Sequence, residues 1–251
     1  MITDSNELCK TLFEPCLDTG AYSKIPFAFG AKRNPVQAMP LYPLFLKLEG
    51  RRCIVIGGGN VATRKVQSLL ECGARVLVVS PELCPELEKR ASAGEIDVVR
   101  RVFEPDDIRG AVVAIAATNL RSVNEIVVEA GRALGVLVNV VDVPDLCDFY
   151  VPSSFERGDL QIAVSTGGAF PALAKKLRIA LEAQFGPEYQ AYLELLTHFR
   201  EQVKARIADP RQRAEAENAF LELPVFDLLA EGKREEAESV LGECLSKFCS
   251  W

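Results

Sequence analysis

Histidine is almost missing from this chain: His198 is the single one in 251 residues. The eight cysteines, Cys9, Cys16, Cys53, Cys72, Cys84, Cys147, Cys244 and Cys249, stand singly and form no CxxC pair. A permanent transition-metal site therefore has little ligand supply, and a disulfide framework is not indicated in a chain this long. The cysteine usage reads as reduced thiols in a cytoplasmic protein. An excess of basic residues is absent as well, since Lys plus Arg number 29 against 35 Asp plus Glu, a net charge of −6. That balance argues against a general nucleic-acid-coating role. Long apolar runs are lacking too: the longest aliphatic one, Ala111 to Ala117, is far short of the roughly 18 residues of a membrane span. Near the N-terminus, Asp4, Glu7, Glu14 and Asp18 and the interruptions at Pro26 and Gly30 leave no secretory apolar region, so export is not expected.

What is present is an ordinary globular composition, 49% hydrophobic and 25% charged, enough for one large domain or two modest ones. Residues 1–38 lack periodicity and carry Pro15, Gly20, Pro26, Gly30 and Pro35, the pattern of a loosely ordered arm. From Met39 onward the pattern sharpens. The run Cys53 to Ile56 reads as a buried parallel strand ending in Gly57-Gly58-Gly59, and a helix bearing Val61, Val66, Leu69 and Leu70 follows. Further strands are expected at Arg75–Val79, Ile96–Val102, Val112–Ala116 and Val136–Val141. The helices between them are expected over Glu82–Ala93 and from a Ser122 cap to Leu134. This alternation predicts an α/β fold, a Rossmann-type doubly wound parallel sheet with ligands at the carboxyl ends of its strands. After it, Phe149–Pro152 and Leu160–Val164 read as two more strands around a turn at Gly158. Helices then follow from Pro171 to Phe185, through Tyr189 to Ile207, and in the tail beyond Pro224.

Three constellations can carry chemistry. Gly57-Gly58-Gly59-Asn60-Val61-Ala62 fits G-x-G-x-x-A between a strand and a helix, where glycines permit a tight turn and close approach of a pyrophosphate to the helix N-terminus. The acidic residue usually found at the end of the next strand is replaced by Ser80-Pro81-Glu82, so a ribose would be held by the Ser80 hydroxyl, by backbone groups or by Glu82. Glu82 reads equally well as an exposed first-turn residue. Thr118 and Asn119 at the fourth strand end lie where a dinucleotide would cross the sheet, with capping of the next helix by Asn119 or Ser122 as the competing explanation, and Asp142 at the fifth lies beside the expected nicotinamide position. Asp142 reads either as a proton acceptor or as a turn residue ahead of Pro144. Finally, Ser165-Thr166-Gly167-Gly168 leads into a helix carrying Lys175, Lys176 and Arg178, an arrangement suited to an anionic substrate or, equally, a solvated basic face. His198 falls mid-helix and reads as a packing or surface residue.

Taken in order, these motifs are similar to those of the precorrin-2 dehydrogenase and sirohydrochlorin ferrochelatase family, the N-terminal module of siroheme synthases. The resemblance rests on Pro40-Leu41-Tyr42-Pro43-Leu44-Phe45, the glycine run through Lys65, Ala116-Ala117-Thr118-Asn119, Asn139-Val140-Val141-Asp142, Phe149 to Ser153, and Ala163 to Pro171. It implies a homodimer organised as an NAD-binding Rossmann domain (39–151), a dimerisation segment (152–186) and a helical C-terminal domain (187–251). It also implies NAD-dependent oxidation of precorrin-2 to sirohydrochlorin, a tetrapyrrole. Ferrous iron would enter as a substrate in bifunctional members, and the motifs do not separate these from single-function ones. By motif position, Asn60, Val61, Pro81 and Glu82 match cofactor contacts, Asp142 a general base, and Thr166 a hydroxyl near the tetrapyrrole. Lys175, Lys176 and Arg178 would then be counter-charges for a polycarboxylate. No methyltransferase region follows Trp251, so uroporphyrinogen methylation is expected from a separate protein. A competing class is an NAD-sensing regulatory module, which needs neither a carboxylate at the nicotinamide end nor a polyanion pocket; a small hydroxy-acid dehydrogenase is disfavoured by the lack of a strand-end histidine.

Overall fold

The computed structural model describes residues 41–249; the arm expected over 1–38, Met39 at the start of the expected cofactor domain and Pro40 of the opening motif lie outside the described residues. Every element below belongs to the unit from Leu44 onward. Five strands form one parallel sheet: β1 (Arg52–Ile56), β2 (Arg75–Val79), β3 (Asp97–Val99), β4 (Val113–Ala116) and β5 (Leu137–Val140), in the order β3-β2-β1-β4-β5. Their apolar runs alternate between two buried faces. Cys53, Val55, Val76, Val78 and Ile115 pack on α1 (Asn60–Glu71) and α2 (Pro85–Ser92) through Ala62, Val66, Leu69 and Leu87. Ile54, Ile56, Val79, Ala116 and Val138 pack instead on α3 (Arg121–Leu134) through Val127, Val128 and Ala130. Each fully buried Val, Leu or Ile contributes about 1.5–3 kcal/mol, so both faces of the sheet are strongly held. The chain is doubly wound because it leaves β3 and returns on the far side of β1, which puts the strand-order reversal between β1 and β4.

Apart from shifts of a single residue, the observed element bounds differ from the expected ones at four places. The second helix starts at Pro85 rather than Glu82, because the residue before a proline is kept out of the helical region and Cys84 is extended (φ −69°, ψ 159°). The third strand is cut to Asp97–Val99: it is an edge strand paired only with β2, and Arg100 and Arg101 turn away to Glu88 and Asp107. The third helix begins at Arg121 with Leu120 at its N-cap, so Ser122 is not the cap; Thr118 Oγ1 accepts the Leu120 N–H at 2.8 Å instead. The strand expected over Phe149–Pro152 lies at Ser153–Arg157 (β6), paired antiparallel with β7 (Leu160–Val164). Residues 148–149 are held to β5 by other means: Asp148 Oδ2 accepts from Val138 N at 3.0 Å, and Asn139 Nδ2 donates to Phe149 O at 2.9 Å.

Beyond β7 comes α4 (Pro171–Gln184), then α5 (Glu188–Arg206), α6 (Pro210–Leu221), α7 (Val225–Ala230) and α8 (Arg234–Cys249). The pattern had marked three of these five; α6 and α7 are additional. Asp209 caps α6, its Oδ1 accepting from Arg211 N at 3.0 Å, and Pro210 occupies the first helical position. Phe199 and Phe220, ring centroids 5.0 Å apart, centre a core that also takes Val203, Val225, Ala237 and Leu241. None of the described helices is long and apolar enough to cross a membrane.

Candidate active site

The glycine turn after β1 sits at the strand-order reversal and is crowded on two sides. Gly57 adopts φ 122°, and a Cβ there would stand 2.4 Å from the Ala117 carbonyl oxygen. A Cβ on Gly58 would meet the Glu82 carbonyl oxygen at 1.9 Å, because Cys84 N donates to Gly58 O at 2.7 Å and draws the loop after β2 onto the turn. Gly59 is different: nothing lies within 4 Å of where its Cβ would be. Gly59 is the N-cap of α1, with no side-chain cap and no acidic residue in the first turn. The first amides of α1 are thus left without side-chain acceptors, next to open space, with the positive end of the helix dipole behind them. These features suit the pyrophosphate of a dinucleotide.

The loop after β2 behaves differently from a ribose-gripping strand end. Ser80 is buried and its hydroxyl donates to Glu82 O at 2.7 Å, so it shapes its own turn, while Pro81 and Glu82 are exposed. Two arginines follow the neighbouring β3, and both are already engaged. Arg100 makes paired bonds to Glu88 (2.5 and 2.6 Å), and Arg101 to Asp107 (2.8 and 2.7 Å).

Two cavities open at the carboxyl ends of β4 and β5. The smaller, about 300 Å³, is a groove lined by Val61, Thr118, Asn119, Arg121 and Asn124, among others. Asn124 is buried; its Nδ2 donates to Thr118 O at 3.2 Å, and its buried Oδ1 has no hydrogen-bond partner. The larger cavity, about 580 Å³, extends to β7 and α4 and is walled by Lys65, Tyr150, Ser165, Thr166, Lys175 and Arg178, with others. Val141, Asp142 and Val143 line both. Asp142, exposed and at φ 61°, is the one described non-glycine residue with a positive φ, a conformation that aspartate and asparagine tolerate better than most. Cys147 staples the loop that presents it: its Sγ accepts from Val140 N at 3.2 Å and lies 3.2 Å from Val140 O and 3.4 Å from Val143 O. Burial pushes the Cys147 thiol up, which keeps it a neutral hydrogen-bonding group.

Of the residues marked in the sequence, the structure brings Val61, Thr118, Asn119 and Asp142 to the groove and Asp142, Thr166, Lys175 and Arg178 to the cavity. Gly167 and Lys176 line neither. On α4 the residues facing the cavity are Pro171, Ala174, Lys175 and Arg178, one helical stripe, and Lys176 lies off it. Arg178 is also ion-paired with Glu182, which reduces its free charge. Thr166 Oγ1 accepts from Phe170 N at 3.2 Å and so helps to form the turn as well as the wall. Lys65, Asn124 and Cys147 were missed as site residues. For Lys65 a signal existed: it lies four residues after Val61, on the same face of α1. Among the described residues no three His, Cys, Asp or Glu side chains converge as a metal site would require.

Comparison with known proteins adds three family matches in chain order. Residues 44–153 match a model described as NAD(P)-binding, 157–184 one described as sirohaem biosynthesis protein central, and 188–245 the sirohaem synthase dimerisation region. The siroheme synthase of Thioalkalivibrio sulfidiphilus is 41% identical over 82% of this chain and 42% of its own length; that of Methylococcus capsulatus is 41% identical over 82% and 43%. The chain therefore spans less than half the length of these relatives. Among solved structures, SirC, precorrin-2 dehydrogenase, is similar with a TM-score of 0.68 and 27% identity, covering 81% of this chain and 100% of SirC. With a Rossmann-type sheet, the glycine turn at its strand reversal, and central and dimerisation regions following in order, the chain belongs to the family of siroheme synthase N-terminal modules.

Proposed function

We propose that this protein is an NAD-dependent precorrin-2 dehydrogenase that yields sirohydrochlorin. The observation that carries this reading is the position of Asp142 in the wall shared by the groove and the larger cavity. The first turn of α1 would hold the pyrophosphate of NAD, and Val61, Thr118 and Asn119 in the groove its nicotinamide end; when bound, the cofactor would supply the hydride acceptor. Asp142 takes the proton that the macrocycle loses with that hydride, so the two-electron oxidation balances. Its loop is held by Cys147, Asp148 and Asn139, which keeps the carboxylate at the mouth of both cavities. The larger cavity receives the tetrapyrrole, with Thr166, Lys175 and the partly neutralised Arg178 facing its carboxylates. NAD is favoured over NADP because the nearby Arg100 and Arg101 are engaged by Glu88 and Asp107 rather than open to a 2′-phosphate.

The same reading takes the chain as a cytoplasmic homodimer. Support comes from the free thiols of Cys53, Cys72, Cys84, Cys147 and Cys244 and from the apolar residues exposed on α4. It divides the described chain into a cofactor domain to 151, a segment over 152–186 that holds the match to the sirohaem central region, and a helical domain from 187 that holds the match to the dimerisation region, so that the dimer contacts expected over 152–186 would extend into the helices. Ferrous iron is at most a second substrate, since the macrocycle supplies the metal ligands and the same aspartate would accept the displaced pyrrole protons.

The test is an anaerobic assay with precorrin-2 and NAD that follows sirohydrochlorin absorbance, with ferrous iron added only afterwards. Asp142→Asn is the appropriate variant because asparagine tolerates the left-handed backbone. Turnover by the native protein that falls at least about 100-fold in the variant, with NAD affinity retained, is the expected result. Binding of both ligands without oxidation would sink the dehydrogenase and favour a sensing module or a chelatase.

A further inference from the structure

We propose that Lys65 is a substrate-recognition residue, its ammonium binding a carboxylate of the macrocycle from the α1 side of the large cavity while Lys175 does so from α4. The inference deepens the dehydrogenase reading and rests on it.

Helix α1 serves both halves of the site. Its first turn faces the cofactor, Val61 reaches the groove, and Lys65, one turn further on the same face, enters the wall of the large cavity. Lys65 is half-buried. Burial, and secondarily the charge of the adjacent Arg64, pull its pKa below the usual lysine range, while Asp142 and Cys147 pull the other way. Yet among the described residues it makes no ion pair in contact with a carboxylate. An ammonium partly withdrawn from water without a contact partner is poorly compensated, and an incoming carboxylate would supply what is missing.

The charge balance of the cavity points the same way. Its wall holds three cations, Lys65, Lys175 and Arg178, and one carboxylate, Asp142. Glu182 engages Arg178. Two open ammonium groups therefore remain, on two different helices, and a polyanion could bridge them. A solvated surface lysine would explain neither the burial nor the place in the wall.

The experiment measures sirohydrochlorin and NAD affinities separately, by fluorescence titration, for the native protein, Lys65→Met and Lys65→Arg. The expected result is a loss of about tenfold in sirohydrochlorin affinity in the methionine variant. Lys65→Arg should recover most of it, with NAD affinity and melting temperature unchanged in both. An unchanged sirohydrochlorin affinity, or an equal loss for NAD, overturns the assignment. So does a change confined to the pH profile of kcat, which would make Lys65 a partner of Asp142 alone. If the native protein fails to bind sirohydrochlorin, the dehydrogenase reading falls and Lys65 with it. If the native protein oxidises precorrin-2 while Lys65→Met binds sirohydrochlorin as tightly, only the Lys65 assignment falls.

Discussion

Two adjacent glycines in the cofactor turn do different jobs, and single methyl groups would separate them. At Gly58 an added Cβ would press on the backbone oxygen of Glu82 at 1.9 Å, and backbone cannot step aside as a flexible side chain can. Gly58→Ala should therefore lower stability by about 1–3 kcal/mol and weaken NAD together. At Gly59 the space is open, so Gly59→Ala should change stability by no more than about 1 kcal/mol, the scale of an N-cap effect. It should still weaken NAD about tenfold or more, because the methyl group would occupy the place where a pyrophosphate approaches. Thermal melts and NAD titrations of the two variants decide this; equal melting temperatures would refute the distinction.

At the scale of elements, the return from β3 to β4 hinges on the short 3-10 turn Pro105–Ile108, and Asp107 is its organiser. The Asp107 carboxylate accepts two bonds from Arg101 and one from Glu104 N at 2.9 Å, completing a capping box with Glu104. The Arg101 hydrogen bonds hold the Asp107 carboxyl below the usual carboxylate range; burial opposes them, and the Glu104 amide helps. Because the folded pKa is the lower one, this stabilisation is present above the unfolded value of about 3.9 and is lost as pH falls through the folded value. Asp107→Asn should lower stability by about 1–3 kcal/mol at pH 7, and the gap from the native protein should narrow below about pH 4. Chemical denaturation at both pH values measures it, and a gap that stays constant with pH would rule out the ionic contribution.

On the scale of the whole molecule, the segment between the parallel sheet and the last helices cannot satisfy itself. A two-stranded sheet is marginal alone, and β6 with β7 is one. Against these strands packs α4, which leaves Leu173 (43%), Leu177 (44%) and Ile179 (50%) exposed. Apolar surface of this kind is what a twofold interface buries, with each residue counted once per protomer. Leu177→Glu should raise the dimer dissociation constant by about 100-fold or more, visible in sedimentation velocity as a shift to monomer at micromolar concentration. A monomeric native protein would refute the proposed assembly.

Much of this was legible in the one-dimensional pattern, for reasons that can be named. Parallel strands buried on both faces are written as short continuous apolar runs, and Arg75–Val79 was read to the residue. The glycine turn and Asp142 were visible because local backbone demands and strand-end positions leave marks in the sequence. What was not legible depended on partners distant along the chain. Ser153–Arg157 became a strand because Leu160–Val164 pairs with it, although its own residues are mostly polar. Gly58 is crowded by a loop more than 20 residues later, and Lys176 lies off a helical stripe that only the cavity defines. The sequence by itself determined the parallel fold and the place of the glycine turn, since periodicity and backbone restraint act over a few residues, whereas Asp142 as a base was implied only by the family resemblance. Only the tertiary structure decided that Asp142 stands between two cavities and that Lys65 shares the larger one with α4, because those distances are set by packing between elements.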